Sequence, residues 1–372
     1  MSWSIKLLRL GGVDVKVHVT FVLILLWAAY RWGMASGQGL PGAVFGAVVT
    51  LLLFASVTLH ELGHSAQAMR YGIKVRDITL WPFGGLTQME GLPERPGQEL
   101  RIALAGPVVN LAIGAVLAGL AQVLRLEGWM GVDRLYQALG DVSWEGLLAY
   151  LVTANFSLAI FNLIPAFPMD GGRALRAVLA MRTDYRRATR WAVGIGQALA
   201  WGLGLWGFAS GSFTLVLVAV FVYLAAGAEG ALAEAKGVLG AFRVGQAMSR
   251  QVQTLAPADP LGRAVDLTLQ TMQADFPVVE DGRLVGFLAQ QDLLEGLHRY
   301  GRERAVGDAM RTDFPSVAPD QPLFDAQQQL AGARLQSAPV AENGRVAGLL
   351  SLADINEAYR FLLALERPAR AG

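Results

Sequence analysis

Long apolar stretches fill the first two thirds of the chain, and the pattern changes after Glu234. Stretches able to cross a bilayer as helices, ~20 residues each, run roughly from His18 to Trp32, Ala43 to Met69, Ala103 to Leu124, Leu147 to Phe167, Trp191 to Ala209 and Phe213 to Ala233. They predict a polytopic α-helical membrane domain of about six transmembrane helices. The first stretch has no small-residue cleavage site behind it, so it reads as an anchor and not a signal peptide. Lysine and arginine gather before span one (Lys6, Arg9, Lys16), between spans two and three (Arg70, Lys74, Arg76, Arg95, Arg101) and between spans four and five (Arg173, Arg176, Arg182, Arg186, Arg187, Arg190). The positive-inside rule assigns these regions, the N-terminus included, to the cytoplasm. The opposite loops, Gly33 to Gly42, Arg125 to Glu145 and Ser210 to Ser212, are Gly-rich or mixed in charge.

After Glu234 the apolar runs shorten to four or five residues and alternate with polar helical stretches and turns such as Glu280-Asp281-Gly282 and Glu342-Asn343-Gly344. That pattern predicts a soluble cytoplasmic tail. Its units repeat. Val244-Gly245-Gln246-Ala247-Met248 returns as Val306-Gly307-Asp308-Ala309-Met310, and Phe276-Pro277-Val278-Val279 with Gly286 and Asp292 returns as Ala338-Pro339-Val340-Ala341 with Gly348 and Asp354. The expected organisation is a membrane domain over 1–236, a first repeat over 237–303 and a second over 304–372.

Composition agrees with this division. The 372 residues are 53% hydrophobic and only 16% charged, with a mean hydropathy of +0.40, too apolar for an ordinary soluble domain. A formal net charge of +1 excludes a large nucleic-acid surface, which would need a strongly basic stripe. Cysteine is absent and there are four histidines, His18, His60, His64 and His298. Disulfides and thiolate ligands are therefore excluded, and any metal must be held by histidine and carboxylate.

The chemistry concentrates in Thr58-Leu59-His60-Glu61-Leu62-Gly63-His64. Residues four apart share a helix face, so both imidazoles can reach one zinc while Glu61 stands beside it as a base. Ionisable groups inside a span are expensive and by default functional. A catalytic zinc takes three protein ligands and keeps a fourth position open. His18 at the membrane boundary and His298 in the tail are poorly placed for the third. Asp170 is better placed. It follows span four in Asn162-Leu163-Ile164-Pro165-Ala166-Phe167-Pro168-Met169-Asp170-Gly171-Gly172-Arg173, at the same cytoplasmic depth as His60 and His64. The prolines break the helix there, which lipid tolerates only where the freed backbone is buried or lines a cavity.

These motifs resemble the site-two proteases, intramembrane zinc metalloproteases, in the bacterial and archaeal branch with a C-terminal pair of cystathionine-β-synthase (CBS) domains. Gly84-Gly85 and Gly106-Pro107-Val108-Val109-Asn110 are supporting matches. The resemblance implies an α-helical membrane domain followed by an α/β CBS pair, one Zn2+ held by His60, His64 and Asp170, Glu61 as catalytic base, and a transmembrane or membrane-proximal protein substrate such as a single-span membrane protein. No segment resembles the PDZ domain that other members use to screen substrates. Asn162 is a second catalytic candidate, to orient the substrate backbone or stabilise an oxyanion; equally, it could hydrogen-bond between helices to cap the broken span. The stretch Val75 to Met89, with Ile78, Leu80 and Trp81 around Phe83-Gly84-Gly85, predicts a hairpin whose edge could hold an extended substrate, or else a re-entrant structural loop.

CBS pairs that bind adenine nucleotides such as ATP or AMP carry Gly-x-x-Ser/Thr-x-x-Asp. Gly348 to Asp354 fits it fully, through Ser351 and Asp354. The first repeat keeps Asp292 but has Ala289 in place of the hydroxyl. A tail that only dimerises the enzyme is the alternative. A transporter with regulatory CBS domains, or a scaffold keeping zinc for structure alone, are the competing classes. The first lacks a second broken helix and an internal repeat in the membrane part; the second has no need of Glu61, because structural zinc sites close all four positions. Trp27, Trp32, Trp129 and Trp144 near span ends fit an aromatic belt.

Overall fold

The computed structural model describes residues 3–82, 84–90, 95–124 and 141–366. Phe83, Trp129 and most of the expected loop from Arg125 to Glu145 lie outside them. The described residues divide by their contacts at Gly230/Ala231.

The first unit opens with strands β1 (Ser4–Leu10) and β2 (Val13–His18), then helices α1 (Phe21–Ala35) and α2 (Leu40–Arg70). The strands were not expected from the basic segment, although Val13, Val15 and Val17 alternate with polar residues as a half-buried strand should. The first expected span is a helix of 15 residues, which starts three residues later than expected because β2 runs to His18. The other five are helices of 19 to 31 residues, long and apolar enough to cross a membrane. They are α2, α3 (Pro96–Val123), α4 (Trp144–Asn162), α6 (Tyr185–Ala209) and α7 (Phe213–Leu239), with a short amphipathic helix α5 (Asp170–Ala180) between α4 and α6. Pro41 sits in the first turn of α2, where its missing N–H is no loss, and Gly72 follows its end at φ +78°.

Strands β3 (Lys74–Trp81) and β4 (Gly84–Glu90) form the expected hairpin. It joins the N-terminal strands in one sheet, ordered β1-β2-β3-β4, with β2 and β3 parallel and the other pairs antiparallel. One face buries Val13, Val15, Ile78 and Leu80 against Phe21 of α1 and Phe54 of α2. On the other face, diagonally across the β2–β3 pair, Lys16 bridges to the buried Asp77 at 2.7 Å. Strand β4 is the sheet edge, and it lies against α2. Helix α3 packs between α2, α4 and α5. Gly63 allows the α2–α3 approach: a Cβ there would stand 3.0 Å from the Ala105 carbonyl oxygen.

The second unit contains two similar halves. The first comprises α8 (Val244–Ala247), α9 (Leu261–Thr271), β5 (Phe276–Glu280), β6 (Arg283–Leu288) and α10 (Gln290–Tyr300); the second comprises the 3-10 turn Val306–Asp308, α11 (Leu323–Ala333), β7 (Ser337–Glu342), β8 (Arg345–Ser351) and α12 (Leu352–Glu366). Both hairpins turn on the predicted residues, Asp281-Gly282 and Asn343-Gly344, all at positive φ. The halves exchange their leading segments. Met310 of the second packs on Gly286 of the first, and Met248 of the first on Gly348 of the second. Ser249 bridges to Leu349, and Arg311 to Phe287.

Candidate metal centre

His60 and His64 lie one turn apart on α2, both buried, and their Nε2 atoms are 3.1 Å from each other. Asp170, the first residue of α5, places Oδ2 at 3.2 Å from His60 Nε2 and 3.1 Å from His64 Nε2. Among the described residues these are the one group of three or more His, Asp or Glu side chains whose ligand atoms converge.

The opposite ring nitrogens are committed elsewhere. His64 Nδ1 faces the Ile102 carbonyl oxygen at 2.6 Å, which can only accept, so the Nδ1 proton is donated there. His60 Nδ1 faces Asn110 Oδ1. The amide orientation follows from a chain of partners. Asn155 Nδ2 donates to the Leu151 carbonyl at 2.8 Å and to Ser56 Oγ at 3.2 Å, leaving its Oδ1 to accept from Asn110 Nδ2 at 2.9 Å. Asn110 Oδ1 must then accept from His60. Asn110 and Asn155 are both 0% exposed, so no water can substitute.

With both Nδ1 protonated, the two Nε2 atoms and the Asp170 oxygen present lone pairs to one another. Three converging acceptors repel unless a cation stands among them. Their separations are close to the ~3.3 Å edge of a tetrahedron of ligands ~2 Å from its centre. The donor set, two imidazoles and a carboxylate with each histidine held by a further partner, suits zinc with one position left open.

Glycines make room for this arrangement. A Cβ on Gly106 of α3 would run into Nε2 of both histidines. Pro107 follows it and gives no N–H to Ala103, loosening the ladder beside the Ile102 carbonyl. Gly85 lets β4 pass Glu61: a Cβ there would lie 2.6 Å from Glu61 Cγ. Two residues on, Thr87 Oγ1 donates to Glu61 Oε2 at 2.5 Å.

His60, Glu61, His64, Thr87 and Asp170 face a cavity of about 900 Å3. Its wall includes Ile24 and Trp27 of α1, Phe161 of α4, and Phe221 and Val222 of α7. Asn162 lines it too, half-buried, with its amide nitrogen donating to the Leu158 carbonyl of its own helix at 2.9 Å, not to a neighbouring helix. His18 is stacked on Trp81, with ring centroids 3.8 Å apart, and bonds Thr20 Oγ1. His298 is an exposed position of α10.

The remaining candidates sit in the second unit. Asp354, in the first turn of α12, accepts from Ser351 N at 2.8 Å and Ser351 Oγ at 2.7 Å. Asp292, at the matching place in α10, is held in a two-pronged ion pair by Arg311, at 2.6 and 2.8 Å. The Asp292 hydrogen bonds raise the Arg311 guanidinium above its ordinary pKa. The sequence motifs contained Gly106, Asn110 and Gly84-Gly85 without revealing their tasks. Asn155, Thr87, Arg311 and the Ile102 carbonyl were missed. Asparagines inside apolar spans were the available signal for Asn155; a backbone carbonyl leaves none.

Comparison with known proteins identifies the family. Residues 48–203 match Peptidase family M50, and residues 244–299 and 306–360 each match the CBS domain. The zinc metalloprotease MJ0392 of Methanocaldococcus jannaschii is 33% identical over 362 residues, covering 97% of this chain and 98% of that protein. Stage IV sporulation protein FB of Bacillus subtilis is 26% identical over 52% of this chain and 57% of its own. A solved structure, the site-2 protease from Methanocaldococcus jannaschii, is 39% identical and covers 61% of this chain and 95% of that one, with a TM-score of 0.44. The chain therefore belongs to the site-two protease family, peptidase family M50, as a membrane zinc metalloprotease with a C-terminal CBS pair.

Proposed function

We propose that the protein is an intramembrane endopeptidase that cuts transmembrane or membrane-proximal segments of single-span membrane proteins, and that His60, His64 and Asp170 hold its zinc. The carrying observation is the convergence of two histidines of fixed tautomer and one carboxylate beside Glu61, inside a cavity walled by apolar helices. Zinc bound there would polarise the scissile carbonyl and make water acidic enough to attack near neutral pH. Glu61 takes the proton from the attacking water and returns it to the leaving amine. Thr87 holds one of its oxygens and leaves the other for this exchange. Asn162 stands in the cavity wall as the group to orient the substrate backbone.

A peptide bond in a helix must be unwound before attack, so substrates carry helix-weakening residues near the cut. The edge strand β4, whose Gly85 and Thr87 lie against Glu61, offers unwound backbone a partner by strand addition. We assign 1–236 to the protease and 237–303 and 304–372 to the CBS repeats, with the N-terminus and the CBS tail cytoplasmic. The pair takes one adenine nucleotide, ATP or AMP, at Ser351 and Asp354, regulates proteolysis, and joins two chains. The Arg311–Asp292 ion pair supports one site over two. Glu61→Gln tests the central reading: zinc content stays at wild type while cleavage of a helix-weakened membrane substrate falls by about 10²–10⁴-fold. Near-normal turnover would overturn it.

A further inference from the structure

Arg176 is 2% exposed, in the middle of α5, a helix of 11 residues. A cation buried so deeply must be matched or it would not be tolerated. Its Nε and Nη2 both donate to one oxygen of Glu99, at 2.8 and 2.5 Å, and its Nη1 donates to Glu229 Oε1 at 2.5 Å. The rings of Phe167 and Tyr185 lie 5.0 and 5.1 Å from the guanidinium carbon. Neither carboxylate has a part in the peptide-cutting chemistry.

The placement of Glu99 gives the network a use. It lies on α3 one turn before Ile102, whose carbonyl holds His64. Arg176 lies on the helix that Asp170 opens. Following the bonds, His64 leads to Ile102, along α3 to Glu99, across to Arg176, along α5 to Asp170, and back to His64 at 3.1 Å. The packing of α5 on α3 would otherwise rest on apolar contact, which resists separation better than sliding. A fork of two donors on one oxygen fixes position along the axis.

We propose that Arg176 is a positioning residue for the metal centre: through Glu99 it sets the register of α5 on α3 and so holds the Asp170 carboxylate against the histidine pair. The Glu229 contact ties α7 to the same guanidinium but lies outside this ring. The inference rests on Asp170 being a zinc ligand.

The test is zinc affinity of the full chain in detergent, measured by competition with a fluorescent chelator. Arg176→Lys keeps a buried cation between the carboxylates but loses the fork, and zinc should bind about 10–100-fold more weakly, the range for groups that orient ligands. Glu229→Gln keeps an acceptor for Nη1 and should leave the zinc Kd within about threefold of wild type. If Arg176→Lys does not fold, as judged by size exclusion, Glu99→Gln replaces it, with a weakening of about tenfold expected. A Kd unchanged in the folded variant, or a loss in Glu229→Gln as large as in Arg176→Lys, overturns the proposal. Asp170→Ala, run beside them, separates the two readings: if that variant keeps zinc, the ligand assignment itself has failed.

Discussion

Thr87 donates its hydroxyl to the carboxylate of Glu61 across 2.5 Å, from the edge strand of a sheet to the helix that carries both histidines. The proposed base is thus held by the strand proposed to hold the substrate. Thr87→Val keeps the shape and removes the donor. Turnover should fall by about 10- to 150-fold, with zinc content unchanged, since one hydrogen bond to a charged group contributes about 1.5–3 kcal/mol. Cleavage rate and metal content on the same preparation check it.

Asn110 holds His60 in the tautomer that leaves Nε2 free. Asn110→Ala removes that acceptor and leaves the Asn155 carbonyl without its donor in a dry interior. Zinc affinity should drop by about 10–100-fold, and the protein should lose about 1–3 kcal/mol of stability from the unmet polar group. Chelator competition and thermal unfolding in detergent report the two effects separately.

Gly106→Ala inserts a methyl where both Nε2 atoms converge. The histidines cannot keep their present rotamers beside it. Metal content by atomic emission should fall to a small fraction of wild type while the helical circular dichroism is retained. A zinc-replete Gly106→Ala protein would contradict the described geometry.

In the CBS pair, Arg311 and Asp292 already satisfy each other, whereas among the described residues the matching Asp354 has only Ser351, the residue just before its own helix. Calorimetry of the full chain with AMP or ATP should give one site per chain, and Asp354→Ala should abolish it. No heat and no thermal shift at millimolar nucleotide would leave the tail as a dimerisation module.

The convergence of His60, His64 and Asp170, the proposed ligands, was legible because two histidines four apart with an intervening glutamate are a helix-face pattern, and because the absence of cysteine left few third candidates. The repeat in the tail was legible for a similar reason: Asp281-Gly282 and Asn343-Gly344 force the same turn twice. What escaped depends on partners remote in the chain. Arg311 reads as one more surface arginine until the halves exchange segments and set it against Asp292. Thr87 meets Glu61 only through the register of β4 on β3 and the packing of that sheet on α2. The N-terminal strands are a different case, since the alternation of Val13, Val15 and Val17 was visible and the basic residues between them masked it.

Asp170 is delivered by a corner cast in backbone. A Cβ on Gly171 would strike the carbonyls of Leu163 and Ile164, and one on Gly172 would lie 2.6 Å from the Ala166 carbonyl carbon and the Phe167 nitrogen. Such a corner cannot be retuned one residue at a time, by selection or by a protein engineer. Attempts to give this enzyme a different metal preference should begin with the donors behind the histidines, where Asn110 is a replaceable side chain, and transplant the corner whole or leave it untouched.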